Sequence, residues 1–305
     1  MNAAIQSLPS SSRDAARLAS RLGIPFHEIA VHGFPDEEIR VTVGPAAPTT
    51  IIYASLDRPN EKLISLMFAS EALYRGGANR LVLLAPYLCY MRQDTAFHEG
   101  EAISQQAIGA MLARCVDRVV TVDAHLHRTP DIGAVFPGIA SDNLSAMPAI
   151  ADALRKTGID PGTVVVGPDA ESRPWVSCLA DRLGLPHTAA QKVRRGDRSV
   201  EIGFPDATLL AGRHALIVDD IVSSGATMIA CAKALGSAGA TMIDAVVTHA
   251  LFPEDLCRDM ALSGIRSIRS THSVPHATNA IPLDDLFVDA LQDEMKSTVV
   301  PEISV

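Results

Sequence analysis

One pattern recurs along this chain: a short run of β-branched and other apolar residues, then a longer stretch with helical spacing. TTIIYASL (from Thr49), RLVLLAPY and DRVVTVDAH lie in the first half, and TVVVGPDA, HALIVDDIV and TMIDAVVTHA in the second. These runs are almost continuously apolar. Strands of that kind are buried on both faces, the condition of a parallel sheet covered by helices on each side. Between them, EKLISLMFASEALYRGG places Leu63, Leu66, Met67 and Leu73 on one helical face. Further helices are predicted from about Ile103 to Cys115, over Trp175 to Leu183, and up to about Leu235. DNLSAMPAIADALRK reads as a connecting helix, so a boundary is placed near Asp142, with domains over residues 1–141 and 142–305. VVTVDAH and ALIVDDIV take similar places in the two halves and hint at duplication. At 305 residues and 48% hydrophobic, the chain can build two α/β cores.

Charge and composition narrow the function classes. A net charge of −9 argues against a nucleic-acid partner, because affinity for a phosphate backbone needs an excess of Lys and Arg. Any phosphate binding must come from a local cluster. The five cysteines are scattered without a C-x-x-C pair, which suits a reducing compartment better than a disulfide framework. The N-terminal MNAAIQSLPSSSRDAARLA lacks the basic and apolar blocks of a signal peptide, and the longest apolar stretches fall short of a membrane helix. A cytoplasmic protein with no membrane association is expected.

In parallel α/β sheets, ligands bind beyond the carboxyl ends of the strands. The most informative strand end is HALIVDDIVSSGATM, where an apolar run meets Asp219 and Asp220 and then Ser223, Ser224, Gly225, Ala226 and Thr227. Small residues at a helix start let backbone N–H groups face a phosphate, and the hydroxyls add donors. Adjacent carboxylates repel phosphate but accept hydrogen bonds from the vicinal hydroxyls of a sugar. A ribose phosphate satisfies both halves of the motif.

VDDIVSSGAT resembles the phosphoribosyl-pyrophosphate loop of the type I phosphoribosyltransferase fold, and its setting is similar to the ribose-phosphate pyrophosphokinase family. Five ordered motifs carry the resemblance over most of the chain. It implies two tandem phosphoribosyltransferase-type (type I) α/β domains with mostly parallel central sheets, the first on the ATP side and the second on the ribose 5-phosphate side. In FPDEEIRV, Phe34, Asp36 and Glu38 match the segment that holds adenine in a neighbouring subunit's site. An aromatic face suits a purine and carboxylates suit its exocyclic amine. In PYLCYMRQDTAFHEGEAIS, Arg92, Gln93 and Asp94 match an ATP-contacting run, where a planar guanidinium can stack on adenine or pair with phosphate. In VVTVDAHLHRTP, His125 matches a magnesium ligand, and in VVVGPDAESRPW, Asp169 matches a second metal-linked carboxylate. Imidazole is an unusual partner for a hard cation, so water and phosphate oxygens would complete the Mg2+ shell. The spacing of His125 and His127 leaves a zinc site as a rival. In QKVRRGDRSVEIGF, Lys192 and Arg194 match the family's catalytic pair on a flexible loop, with Arg195 and Arg198 adding positive charge.

Three residues depart from the family pattern. Glu37 and Glu171 stand where many members have glycine or another small residue. Ser223 stands where many members have an acid and archaeal-type members have serine, which places the chain nearer that branch. The expected reaction moves the diphosphoryl group of ATP to the 1-hydroxyl of ribose 5-phosphate, releasing phosphoribosyl pyrophosphate and AMP. Two rivals stay open here: a phosphoribosyltransferase, and a catalytically silent regulatory homologue. Because the matched FPDEEIRV segment serves a neighbour's site, the resemblance also implies a homo-oligomer, at least a dimer.

Overall fold

The computed structural model describes residues 2–194 and 200–296, which form two compact units. The first unit takes residues 1–144 together with the C-terminal segment from Asp284, and the second takes residues 145–283.

In the first unit the elements run β1 (Ala3–Ser7), α1 (Ser12–Leu22), β2 (Phe26–Glu28), β3 (Ala30–Gly33), β4 (Ile39–Thr42), β5 (Thr49–Tyr53), α2 (Pro59–Arg75), β6 (Arg80–Ala85), α3 (Ser104–Leu112), β7 (Arg118–Val122) and β8 (Ala140–Leu144). Six strands form a sheet in the order β2-β1-β5-β6-β7-β8, with every neighbour pair parallel. The apolar runs behave as their composition requires: Ile51, Ile52, Leu81, Val82, Leu83 and Leu84 are fully buried. Helix α2 buries Leu63, Leu66 and Leu73, but Met67 is 38% exposed and lies with Ile64 and Phe68 on the outer side. Its apolar pattern runs around the helix, so the assigned face was one residue too wide.

The second unit contains α4 (Met147–Thr157), β9 (Val164–Gly167), α5 (Arg173–Leu183), β10 (His187–Ala189), β11 (Gln191–Arg194), β12 (Val200–Gly203), β13 (His214–Val222), α6 (Ala226–Ser237), β14 (Met242–Ala250), α7 (Leu256–Leu262), β15 (Ile265–Thr271) and β16 (Asn279–Ile281). Its sheet has the order β10-β9-β13-β14-β15-β16, again wholly parallel. Val164, Val166 and Ile217 from the sheet pack with Cys231, Ala232 and Leu235 of α6 in the core.

The two sheets share one topology. Counting only their own strands, each reads 2-1-3-4-5-6, and each has an antiparallel ribbon between its second and third strands: β3–β4 in one, β11–β12 in the other. Duplication is therefore real, but the segments that suggested it are not equivalents. VVTVDAH is the fifth strand of its sheet and HALIVDDIV the third, so the counterpart of β13 is β5. Buried strands ending in an acid look alike wherever they stand in a sheet.

The last helix, α8 (Asp284–Lys296), was assigned from sequence to the second domain and packs within the first unit instead. Phe287 and Leu291 are buried, and the Phe287 ring meets Tyr53 edge-on at 6.1 Å. Arg17 Nε donates to both Asp284 oxygens at 2.8 and 2.9 Å. Glu294, 6% exposed, accepts from Arg80 at 2.7 and 2.8 Å and from Arg118 at 3.0 Å. Burial alone would raise the Glu294 carboxyl, but these hydrogen bonds outweigh it and hold the group below the usual glutamate range. Glu294→Ala leaves two guanidinium groups facing each other. Because the Arg80 side chain is 36% exposed, the expected loss is discounted to about 2–3 kcal/mol, read from denaturant unfolding near neutral pH. A depressed carboxyl stabilises above its ordinary range, so the difference from wild type should vanish as pH falls through its folded-state value.

Candidate functional site

The strand β13 carries apolar residues to Val218 and then turns polar. Asp220 is 3% exposed and Asp219 is half-buried. Asp219 Oδ1 accepts from the Asp220 N–H at 3.1 Å, and Asp220 Oδ1 from the Ile221 N–H at 2.9 Å, which fixes both carboxylates at the strand end. The Asp219 carboxyl is pushed well above the usual range by burial first, then by the charges of Asp220 and Asp169. Three carboxylates thus share one end of this sheet, an arrangement that favours a cation or hydroxyl donors as their partner.

The turn after β13 opens α6. Gly225, at φ 70°, caps the helix in the left-handed region. A Cβ there would come within 2.6 Å of Leu256 Cδ2 and 2.9 Å of Met260 Cε, so α7 closes against the back of the turn. Ser224, Ala226 and Thr227 are exposed and Ser223 half-buried, leaving the open side with hydroxyls and the helix N-terminus. The turn is also tied to the next strand by the Leu251 N–H, which donates to the Val222 carbonyl at 2.8 Å.

Asp169 follows β9, which three strands separate from β13 in sequence but which lies beside it in the sheet. Its Oδ1 accepts from the N–H groups of Glu171 (2.9 Å) and Ser172 (3.1 Å), while Ser172 Oγ donates back to the Asp169 carbonyl at 2.7 Å. One oxygen is thereby anchored and the carboxylate is aimed by its own loop. Gly167 is required by the same turn, since a Cβ there would lie 2.2 Å from Ser172 Oγ. Glu171 is exposed and occupies a loop position with room for a side chain.

In the first unit, Phe34, Asp36, Glu37 and Glu38 form the exposed tip of the β3–β4 ribbon. The Phe34 N–H donates to the Glu38 carbonyl at 2.7 Å, and the Glu38 N–H donates to Asp36 Oδ1 at 3.3 Å. Phe34 is 41% exposed, with its ring edge-on to His32 at 5.0 Å. Glu37 has φ 68°, which explains why a glycine suits this position and why Glu37 carries local strain.

Arg92 is exposed and Gln93 half-buried in the loop after β6, and the Asp94 side chain is buried. Gln93 Oε1 accepts from Ser104 Oγ at 2.7 Å. Asp94 pairs with Arg128, 2.8 Å from its Nη1. His125 and His127 follow β7, their rings edge to face at 3.8 Å, after Asp123 turns the chain at φ 39°. The sequence reading missed Ser104, Gln105, Arg128 and Thr129, which fasten these loops; only the folded sheet brings residues 93–94 to residues 104–105 and 128. Lys192 and Arg194 lie on β11, opposite Ile202 and Val200 of β12. Arg195 and Arg198 fall outside the described residues.

Gly225→Ala should cost about 1–2 kcal/mol for the left-handed backbone alone. A thermal melt would register it, and a neutral result would mean the turn rearranges freely.

Two family models match the chain: the N-terminal domain of ribose phosphate pyrophosphokinase over residues 3–115 and the phosphoribosyl transferase domain over residues 145–261. A ribose-phosphate pyrophosphokinase 2 from Archaeoglobus fulgidus is 32% identical over 281 residues, covering 92% of this chain and 97% of that one. A ribose-phosphate pyrophosphokinase from Methanopyrus kandleri is 28% identical, covering 91% and 94%. The crystal structure of phosphoribosylpyrophosphate synthetase from Mycobacterium smegmatis superposes with a TM-score of 0.84 over 97% of this chain and 99% of that one, at 21% identity, a likeness of fold. These matches extend along nearly the whole length, and the chain belongs to the ribose-phosphate pyrophosphokinase family.

Proposed function

We propose that this chain makes 5-phosphoribosyl 1-pyrophosphate by moving the diphosphoryl group of ATP onto the 1-hydroxyl of ribose 5-phosphate, with AMP as the other product. The observation that carries this is the end of β13, where Asp219 and Asp220 are followed, after Ile221 and Val222, by a small-residue turn opening α6. The acids accept the ribose hydroxyls, and the 5-phosphate takes the N–H groups and hydroxyls of Ser223 to Thr227. A phosphoribosyltransferase would need one such unit, whereas this chain has a second six-stranded unit matched by its own family model.

The nucleotide is assigned to Arg92 and Gln93, with Phe34, Asp36 and Glu38 reaching the adenine of a neighbouring copy. That assignment implies an oligomer, at least a dimer, because the ribbon tip projects its polar and aromatic groups outward. His125 and Asp169 are the assigned ligands of Mg2+. What supports Asp169 in this role is that backbone N–H groups anchor one of its oxygens and that the charge it adds beside Asp219 is what a divalent ion would offset. When bound, the ion would neutralise phosphate charge. In-line displacement at the β-phosphorus then needs chiefly alignment and charge stabilisation. Lys192 and Arg194 are assigned to the charge that builds on the phosphoryl oxygens and departing AMP. No helix among the described residues is long and apolar enough to cross a membrane.

Phosphorus NMR with ATP, Mg2+ and ribose 5-phosphate should show AMP and phosphoribosyl pyrophosphate rising together. Lys192→Ala should lower the rate on the order of a hundredfold or more. ADP as product would mean ordinary γ-phosphoryl transfer, and no turnover by a folded oligomer would favour the silent regulatory homologue. Asp219→Asn should abolish use of ribose 5-phosphate yet raise Tm by about 2–4 °C, since it removes buried like-charge repulsion. A lowered Tm would show that the carboxylate is needed for folding.

A further inference from the structure

The loops after β6 and β7 are joined at one carboxylate. We infer that Asp94 is a positioning residue that yokes the Arg92–Gln93 loop to the His125 loop and does not itself touch ATP; this rests on the assignment of those loops to nucleotide and metal. The Asp94 side chain is 3% exposed. Its Oδ1 accepts from Arg128 Nη1 at 2.8 Å and its Oδ2 from the Arg128 N–H at 3.2 Å. Both oxygens are therefore spent on one residue, and the bond to the main-chain N–H fixes the backbone of the second loop as well as a side chain. A carboxylate so enclosed has little left to offer a ligand.

The surroundings extend the yoke. The Arg128 guanidinium lies over the Phe97 ring, 5.6 Å from its centre, so it is held from a second side by the same loop that carries Asp94. Thr129 Oγ1 donates to Gln105 Oε1 at 2.7 Å. Gln105 in turn donates its side-chain amide to the Met91 carbonyl at 3.2 Å and its N–H to the Gln93 carbonyl at 3.2 Å. The first turn of α3 thus forms a shared floor under residues 91–94 and residue 129. His125 is three residues from Arg128, and Arg92 is two residues from Asp94, so the pair can set the mutual register of both arms.

The test is a double-mutant cycle over Asp94→Ala and Arg128→Ala, with ATP and ribose 5-phosphate varied in turn in the presence of Mg2+. Each single variant should raise KM for ATP roughly ten- to a hundredfold and leave KM for ribose 5-phosphate unchanged. The double variant should be no worse than the poorer single, because both remove one interaction. Asp94→Asn, which keeps an acceptor for the Arg128 N–H, should recover part of the loss. A severe Asp94→Ala, a mild Arg128→Ala and additive costs in the double would place Asp94 against ATP and overturn the inference. Should those variants fail to fold, Thr129→Val removes the Gln105 bond without changing charge and should shift KM for ATP in the same direction; an unchanged KM would count against the yoke. If the wild-type chain makes no phosphoribosyl pyrophosphate, amide exchange separates the two ideas: Asp94→Ala should still speed exchange across residues 125–130, and unchanged exchange would sink the coupling on its own.

Discussion

Everything functional in this fold follows from burying both faces of a parallel sheet. Once helices cover each side, a strand's polar residues can meet solvent only at its ends, and the chain leaves each strand at its carboxyl end through a loop. Asp219 and Asp220 near the carboxyl end of β13, Asp169 after β9, His125 after β7 and Arg92 after β6 all stand at such ends. The core does not choose the chemistry, but it dictates where chemistry can be placed. That is why fully apolar strands such as Ile217–Val218 and Leu83–Leu84 run without interruption into charged or hydroxyl-bearing segments.

Duplication uses this constraint twice with different outcomes. Each sheet has the 2-1-3-4-5-6 order and each inserts an antiparallel ribbon before its third strand. In the first unit the ribbon ends in Phe34, Asp36 and Glu38; in the second it bears Lys192 and Arg194. The third strand of the second unit leads into the glycine-capped turn at Gly225, whereas its counterpart β5 leads into Asp57, Arg58 and a helix begun by Pro59. One topology thus carries a glycine-capped, hydroxyl-bearing turn in one copy and an unrelated turn in the other. The divergence lies in loops and ribbons, where packing places few demands on the sequence.

Charge shows the same division of labour. Pairs that stabilise the chain are enclosed and matched, as with Glu294 between Arg80 and Arg118. At the end of β13 the balance is different, because the Asp219 carboxyl is raised by burial and by the charges of Asp220 and Asp169. Stability forgone at a strand end is what a bound ligand can return. The Asp94 carboxylate, its side chain 3% exposed, is likewise matched by Arg128.

Read alone, the sequence determined the α/β class, six central strands and the small-residue turn after β13, because these depend on residues close together in the chain: apolar runs, helical spacing, and small residues after an acidic pair. It also determined the family, through five motifs in order. It did not determine that α8 belongs with the first unit, since Arg17, Arg80 and Arg118 find Asp284 and Glu294 across more than 170 residues. Nor did it reveal that β5, and not β7, is the partner of β13 in the duplication, or that Asp94 is turned toward Arg128. Local pattern records what a segment can be. Strand order and long-range ion pairs record which segments become neighbours, and that is set only when the sheets assemble.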